Sequence, residues 1–226
     1  MNNNYQIYSG FVKDIDPQKY GGLHSYDWFI HWRMNTWNSV KPFKPIINLF
    51  GPDVPDGIKM PGIAYINYIA EYDNLGHIGD YIHGRKHGKW CGWTAGVVFG
   101  MMHAYLHNMD FLYKEQDCLW FGEGIVDQMY SDLGDKDIVF GSCKLMGPAQ
   151  SLFLVRRNAI PNIIASLAQD DDKDVLPEYK FARLSNHAKL SFGYDRDRPF
   201  NTDDKHWYIQ QVTPQELELL RSKGLT

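Results

Sequence analysis

The chain has 226 residues, with 23 Lys and Arg against 27 Asp and Glu, a formal net charge of -4, and 44% hydrophobic residues. This composition excludes a disordered chain and indicates a globular protein with a full hydrophobic core. The weakly acidic charge argues against a dedicated nucleic-acid-binding protein, and no apolar run approaches the about 20 residues of a membrane span.

Along the chain, segments whose apolar residues have the spacing of a strand alternate with segments whose apolar residues have the spacing of a helix. Ser25 can cap a first helix that ends before Pro42, and the spacing of apolar residues from Trp93 onward is helical. Strands are predicted at residues 5–11, 45–50, 63–69, 68–72, 111–113, 138–140 and 151–155. Helices are predicted at residues 25–37, 93–108, 125–133, 158–167 and 215–221. This alternation is typical of an α/β layer fold.

The cysteines and the N-terminal sequence predict a cytoplasmic protein. Cys91, Cys118 and Cys143 are widely spaced and form no CxxC pair, which is typical of reduced thiols rather than of a disulfide framework. Residues 1–14 lack both the charged start and the apolar core of a signal peptide. We therefore expect a cytoplasmic location, and the oligomeric state stays open.

An acidic motif, Glu115-Gln116-Asp117, directly follows the predicted strand 111–113. In open α/β sheets, ligands bind outside the carboxyl ends of strands. Two carboxylates one residue apart can face the same way where a strand turns into a loop, and there they can hold Mg²⁺ or Mn²⁺, which binds phosphate oxygens. The alternative on spacing alone is a solvated acidic loop.

The order of elements around this motif resembles the GT-A glycosyltransferases. The loop Asn74-Leu75-Gly76, a helix opened by Gly92-Trp93 and the strand 111–113 come before the acid-x-acid motif. In that family, a helix with small residues precedes a strand ending in a DxD motif, which binds the metal and the nucleotide diphosphate. The resemblance covers about residues 5–206 and implies a Rossmann-like, three-layer α/β/α sandwich around a mixed, mostly parallel sheet.

The resemblance also implies the organisation of the chain and its metal ligands. We expect a single domain over residues 1–226, with a nucleotide-sugar half up to about residue 122 and an acceptor half from about residue 123. Because Glu replaces Asp at the first position of the motif, Asp117 is expected to bind the Mn²⁺ or Mg²⁺ directly, while Glu115 contacts the ribose or a metal-bound water. His206 is expected as a third ligand, with a structural histidine as the alternative.

Several other residues are expected to contact the nucleoside-diphosphate sugar. Arg196 and Arg198 lie in a turn-rich segment, and arginine forks match phosphate oxygens; the alternative is that they pair with Asp195 and Asp197 at the surface. Further candidates at the ends of the first two strands and in the following loop and helix are Ser9, Gly10, Asp53, Asn74 and Trp93. The aromatic residues expected to line the cleft are Trp93, Trp120, Phe121, Trp207 and Tyr208.

An inverting transfer needs a carboxylate that takes the proton from the acceptor hydroxyl. In the resembled fold this base follows the acceptor-side helix, where Glu178 is the first candidate and Asp174 the second. A retaining transfer needs no such base, and the sequence leaves both outcomes open.

Histidines offer a competing interpretation. His77, His83 and His87 lie close together, and His83 and His87 have the spacing of a helical metal pair. Glycines interrupt this stretch, however, so we expect a loop rather than a zinc site. His103 and His107 have the same spacing on a better helix and are expected to face solvent or to pack partly.

Together these patterns predict a metal-dependent glycosyltransferase that moves a sugar from a nucleoside-diphosphate sugar onto a glycan or another hydroxyl acceptor. Two alternatives stay open. One is a nucleotide- or glycan-binding module with weak or lost catalysis, since the motif begins with Glu. The other is a nucleotidyltransferase, although the segment Ser9-Gly10-Phe11-Val12 does not fit the Gly-rich, basic phosphate loop expected there.

Overall fold

The computed structural model describes residues 4–11, 25–40, 46–50, 59, 61–67, 91–143, 147–169 and 177–225. In these ranges the strands are β1 Tyr5–Phe11, β2 Ile46–Phe50, β3 Ile63–Asn67, β4 Asp110–Lys114, β5 Cys118–Phe121, β6 Ile138–Cys143, β7 Gly147–Val155, β8 His187–Lys189 and β9 Trp207–Gln210. The α-helices are α1 Ser25–Ser39, α2 Cys91–Leu106, α3 Ile125–Leu133, α4 Ile160–Gln169, α5 Pro177–Ala182 and α6 Pro214–Ser222.

Seven strands form one mixed sheet with the order β3-β2-β1-β4-β7-β6-β8. β1 is parallel to both β2 and β4, whereas β7 is antiparallel to both β4 and β6. The chain runs outward from β1 through β2 to β3 and then returns to the other side of β1 as β4. This reversal opens a crevice between the carboxyl ends of β1 and β4, where open α/β sheets bind ligands.

Helices cover both faces of this sheet, because alternate strand residues point to opposite sides. On one face, Val97 and Met101 of α2 and Ile163 of α4 pack with Phe111 and Phe153. The other face has its own core, in which helices α1 and α3 pack on β1, β4, β6 and β7 through Trp32, Ile125, Met129, Leu133, Ile7, Leu112, Val139 and Leu154. The predicted three-layer α/β/α sandwich around a mixed, mostly parallel sheet is confirmed.

Helix α2 approaches the sheet closely through glycines. A Cβ atom built at Gly100 would lie 2.7 Å from the Phe111 ring and 2.9 Å from Tyr8, and one at Gly96 would lie 2.8 Å from the Tyr8 hydroxyl. Side chains at either position would therefore push the helix away from β1 and β4, the two strands that flank the crevice.

A second sheet, formed by β5 and β9, was not predicted from the sequence. The two strands are antiparallel, with Cys118 opposite Gln210 and Phe121 opposite Trp207. Trp207 stacks on Phe121 at 4.1 Å between ring centroids, and Trp120 and Tyr208 are completely buried. The prediction that these four aromatic residues line the cleft is wrong, because the pairing turns them into the core.

Within the described ranges, none of the helices combines the length and apolar character that crossing a bilayer requires.

Candidate active site

The acidic motif Glu115-Gln116-Asp117 lies in a tight turn between β4 and β5, at the edge of the crevice. The amide of Cys118 donates to the carbonyl of Glu115 at 3.0 Å, and the amide of Glu115 donates to the carbonyl of Ser151 at 2.8 Å. The turn is therefore tied both to itself and to the neighbouring strand β7.

Ser9 and Gly10 lie at the same edge of the sheet. They follow Tyr8, which pairs with Tyr113 of β4, so both are level with the end of that strand. Ser9 is buried, and its hydroxyl donates to the carbonyl of Gly10 at 3.2 Å. The structure thus brings these two predicted site residues to the crevice beside Glu115.

Gln210, at the end of β9, joins the two carboxylates of the motif. Its side-chain Nε2 donates to Glu115 Oε2 at 2.6 Å and to Asp117 Oδ1 at 2.9 Å. Its Oε1 accepts from Arg196 Nε at 3.0 Å. We call Glu115, Asp117, Gln210 and Arg196 the acidic network, in which one amide fixes two carboxylates and one guanidinium.

Two nitrogen atoms of the Arg196 guanidinium donate no hydrogen bond to the described residues. The side chain is exposed, and its Nε is fixed by Gln210. Within the described part of the chain, the Nη1 and Nη2 atoms of Arg196 donate no hydrogen bond. A guanidinium held at Nε with both Nη groups exposed is well disposed to bind an anionic oxygen of a ligand.

The contacts of the Arg198 side chain differ from those of Arg196. Its Nε lies 2.5 Å from Glu216 Oε1, and its Nη2 donates to Glu216 Oε2 at 3.3 Å and to the carbonyl of Gln210 at 3.1 Å. Nη1 donates to the carbonyl of Asp197 at 3.2 Å. Because these contacts occupy all three guanidinium nitrogens, Arg198 holds the chain together rather than facing a ligand.

Asp195 adds a third carboxylate beside the acidic network. It is buried, the hydroxyl of Ser151 donates to its Oδ1, and its backbone carbonyl accepts from the Gln210 amide at 2.7 Å. Its φ of 51° places it in the left-handed region, which is uncommon for a residue other than glycine. Ser151 and Gln210 were not predicted as site residues; the available signal for each was a polar residue next to an apolar strand segment.

Burial makes the carboxylates of this region easier to protonate. It raises the pKa of Asp117 to about 6, and the charge of Asp195 adds to this effect, while the hydrogen bond from Gln210 and the charge of Arg196 oppose it. Burial also raises the pKa of Asp195, against the hydrogen bond from Ser151. Burial thus disfavours the charged form of both carboxylates, and a proton or a bound cation would relieve this cost.

Helix α1 braces the motif on both sides. The Trp32 indole donates to the carbonyl of Lys114 at 3.0 Å, just before the motif. The Asn35 side chain makes two hydrogen bonds with the backbone of Trp120, at 2.8 and 3.0 Å, just after it. The Lys114 ammonium, fully buried, donates to the hydroxyl of Thr36 at 2.8 Å, and burial lowers the pKa of Lys114 to about 7.

The structure does not bring His206 to the acidic motif. Gln210 is opposite Cys118, and His206 lies four residues earlier, just before the other end of β9, roughly 14 Å away at about 3.4 Å per residue. The His206 ring bonds through Nε2 with the carbonyl of Glu123 at 2.8 Å. A shared metal ion would need both groups within bonding distance, so His206 is a structural histidine here.

Glu115 and Asp117 are the residues that fit a hard divalent cation. Their carboxylates converge on one amide nitrogen, and Glu115 is partly exposed. Mg²⁺ and Mn²⁺ are commonly held by one or two carboxylates together with water and substrate phosphates. Among the described residues, no group of three or more His, Cys, Asp or Glu side chains is placed to hold a metal ion, so such a site would rest on this pair.

Other predicted site residues fall outside what the structure describes. Asp53, Asn74 and Asp174 lie outside the described ranges, as do the histidines 77, 83 and 87. Trp93 lies in α2 and Glu178 in α5, but their side chains are not among those described.

Two solved structures of the same enzyme share the fold of this chain. 4-Diphosphocytidyl-2C-methyl-D-erythritol synthase from Anaerococcus prevotii DSM 20548 aligns with a TM-score of 0.55 at 10% identity, over 99% of this chain and 97% of that chain. A further structure of 4-diphosphocytidyl-2C-methyl-D-erythritol synthase aligns with a TM-score of 0.51 at 8% identity, over 97% of this chain and 98% of that chain.

Glycosyltransferases are among the structural neighbours as well. The galactosyltransferase LgtC, in complex with donor and acceptor sugar analogs, aligns with a TM-score of 0.49 at 10% identity, over 88% of this chain and 80% of that chain. No protein-family model and no curated protein sequence matches the chain. At 8% and 10% identity, the two synthase structures with TM-scores above 0.5 establish a shared fold with this chain.

Proposed function

We propose that the chain is a glycosyltransferase that moves a sugar from a nucleoside-diphosphate sugar to a hydroxyl group of a glycan or another acceptor. The observation that carries this proposal is the acidic network, in which Gln210 fixes Glu115, Asp117 and Arg196 at the crevice between β1 and β4. Two carboxylates that can hold a divalent cation, together with an arginine with free donors, match the charges of a diphosphate leaving group.

In the proposed reaction, the acceptor hydroxyl oxygen forms a bond to the anomeric carbon while the bond from that carbon to the diphosphate oxygen breaks. The nucleoside diphosphate leaves with the electron pair, and Arg196 is placed to stabilise the negative charge that develops on it. A Mg²⁺ or Mn²⁺ ion held by Glu115 and Asp117 would supply further positive charge at the phosphate oxygens.

The fate of the hydroxyl proton depends on the stereochemical outcome. In an inverting transfer, Glu178 is our first candidate to accept it and Asp174 our second. In a retaining transfer neither residue has this role. For the nucleoside and ribose, the candidates remain Ser9, Gly10, Asp53, Asn74 and Trp93. Arg198 and His206 are not included, because their polar atoms already bind Glu216 and the backbone.

A nucleotidyltransferase is the second candidate. Two structural neighbours with TM-scores above 0.5 are 4-diphosphocytidyl-2C-methyl-D-erythritol synthases, which favours a comparison with that reaction class. Against it, the segment Ser9-Gly10-Phe11-Val12 at the end of β1 is neither Gly-rich nor basic, although Lys13 follows it, whereas triphosphate binding is typically supported by Gly-rich, basic loops. A binding module with weak catalysis is the third candidate.

Thermal unfolding with a panel of nucleoside diphosphates and triphosphates, each with and without Mn²⁺, separates these candidates. A glycosyltransferase is expected to be stabilised by one diphosphate and its sugar conjugates, and more strongly with Mn²⁺. Stabilisation by a triphosphate alone would favour the nucleotidyltransferase. Binding of a nucleotide sugar without turnover would favour the binding module. No response to any nucleotide would refute both enzyme candidates and leave only a module that binds glycans.

A further inference from the structure

His103 and His107 lie one helical turn apart, at the C-terminal end of α2 and just after it. They are near the start of β4, whereas the acidic network follows the end of that strand. The amide of His107 donates to the carbonyl of His103 at 3.1 Å, so α-helical spacing extends through both residues. Their ring centroids are 4.2 Å apart and the rings are inclined by 31°. Two histidines at this spacing present their rings on one side of a helix, as in helical zinc-binding pairs.

A buried glutamine fixes the orientation of the first histidine. Gln6 of β1 is completely buried, and its Nε2 donates to the carbonyl of Gly100 at 3.4 Å. Its Oε1 therefore faces His103 Nδ1, at 2.6 Å. Because a carbonyl oxygen only accepts, Nδ1 carries the proton, and the Nε2 of neutral His103 keeps its lone pair. Hydrogen bonds of this kind orient metal-binding histidines and fix their tautomer.

The surroundings of the two rings are compatible with a bound metal ion. Burial lowers the pKa of His103, and the neighbouring His107 lowers it further, so the neutral imidazole prevails at neutral pH. Apart from the bond to Gln6, the His103 and His107 rings make no hydrogen bond with the described residues. The C-terminal end of a helix also carries partial negative charge, which stabilises a cation.

We infer that His103 and His107 form a two-histidine site for a borderline divalent transition-metal ion, Zn²⁺, Ni²⁺ or Cu²⁺, with water completing the coordination. Imidazole nitrogen suits these ions, whereas Mg²⁺ and Mn²⁺ prefer oxygen ligands. With only two protein ligands, the site is compatible with the finding that no described group of three side chains is placed to hold a metal. It is independent of the proposed transfer reaction.

Isothermal titration calorimetry with Zn²⁺, Ni²⁺ and Cu²⁺ on the full chain tests this site. Besides any binding at the acidic network, we expect a saturable binding event that weakens by at least about tenfold in His107→Asn, a substitution at an exposed position. The matched control is His83→Asn combined with His87→Asn, which should bind as the wild type does. Unchanged binding in His107→Asn, or its loss in the control, would overturn the assignment.

A second measurement isolates the role of Gln6. NMR spectra of the histidine ring protons should show His103 and His107 shifting together on addition of Zn²⁺, with His187 and His206 unaffected. Gln6→Glu keeps an oxygen acceptor toward His103 Nδ1 and should retain binding, whereas Gln6→Leu should weaken it by about tenfold. Equal affinity of the two Gln6 variants, each confirmed as folded by circular dichroism, would contradict the positioning role.

Discussion

Arg196 and Arg198 lie two residues apart in the chain, and each contacts Gln210, yet the two arginines belong to different kinds of network. Arg198 joins Glu216 and three backbone carbonyls in what we call the cap network, which also contains Thr213. There Thr213 and Glu216 form a capping box at the start of α6. Every charge in the cap network is paired with an opposite charge or with the backbone.

The acidic network differs in its contacts. The Arg196 guanidinium bonds Gln210, which in turn bonds Glu115 and Asp117, and two nitrogens of Arg196 donate nothing within the described ranges. Structure that only stabilises a fold satisfies its buried charges, because leaving them unbalanced is costly. The raised pKa of buried Asp117 is consistent with the proposed cation site in the acidic network, whereas the paired charges of the cap network stabilise the fold.

The largest expected effect is the loss of transfer activity when Asp117 is substituted. Asp117→Asn keeps the Oδ1 acceptor for Gln210 but removes the negative charge, so the fold should persist. We expect transfer to fall by about 100-fold or more, the scale found when one electrostatic contact to a transition state is lost. Donor turnover measured against Glu216→Gln checks this, since that variant removes a carboxylate of the cap network. Full turnover in Asp117→Asn would refute the assignment.

The two arginines give the second test. Arg196→Gln should lower kcat/KM for the donor by about tenfold, the scale of one charge-assisted hydrogen bond, and leave the melting temperature unchanged. Arg198→Gln should leave kcat/KM unchanged and lower the free energy of unfolding by about 1 kcal/mol, because the ion pair is partly exposed. Steady-state kinetics and urea unfolding on both variants provide the comparison, and identical behaviour of the two would erase the distinction between the networks.

The sequence predicted the layers of the fold because periodicity reports which side of an element is apolar. The helix over residues 93–108 and the strand over 111–113 correspond to α2 and β4, since local spacing determines both. The acidic motif at the end of β4 could also be predicted, because it follows an apolar strand directly. Each of these features is determined by residues that are close together in the sequence.

The contacts that define the networks could not be predicted in this way. Gln210 meets Asp117 across 93 residues of chain, and the pairing of β5 with β9 that brings them together leaves no local pattern. The aromatic residues show the same limit, since Trp207 stacks in a core with Phe121 although its residue type suits a sugar-binding cleft equally well. Only the contacts in the folded chain distinguish Arg196, in the acidic network, from Arg198, in the cap network.

The smallest expected effect is on the pH dependence of the free energy of unfolding, measured without divalent metal. We expect the contributions of Asp117 and Glu216 to this dependence to have opposite signs. Burial raises the pKa of Asp117 to about 6. The folded state therefore binds this proton more tightly than the unfolded state, and the carboxylate increasingly destabilises the protein as the pH rises toward 6. For Glu216, burial would raise the pKa, but hydrogen bonds from Arg198 and Thr213 outweigh it and hold the pKa below 4.5. Its stabilisation is present above that value and is lost as the pH falls through the lowered pKa.

Urea unfolding in EDTA at about pH 4 and about pH 7 distinguishes the two carboxylates, because these values bracket the proton exchange of a raised Asp pKa. Relative to the wild type, Asp117→Asn should gain stability between pH 4 and pH 7, since it removes a charge that is costly to bury. Glu216→Gln should lose stability, and more at pH 7 than at pH 4, since Arg198 and Thr213 then lack their charged partner. Parallel pH profiles for the two variants would mean that both carboxylates are structural, and the acidic network would lose its main physical difference from the cap network.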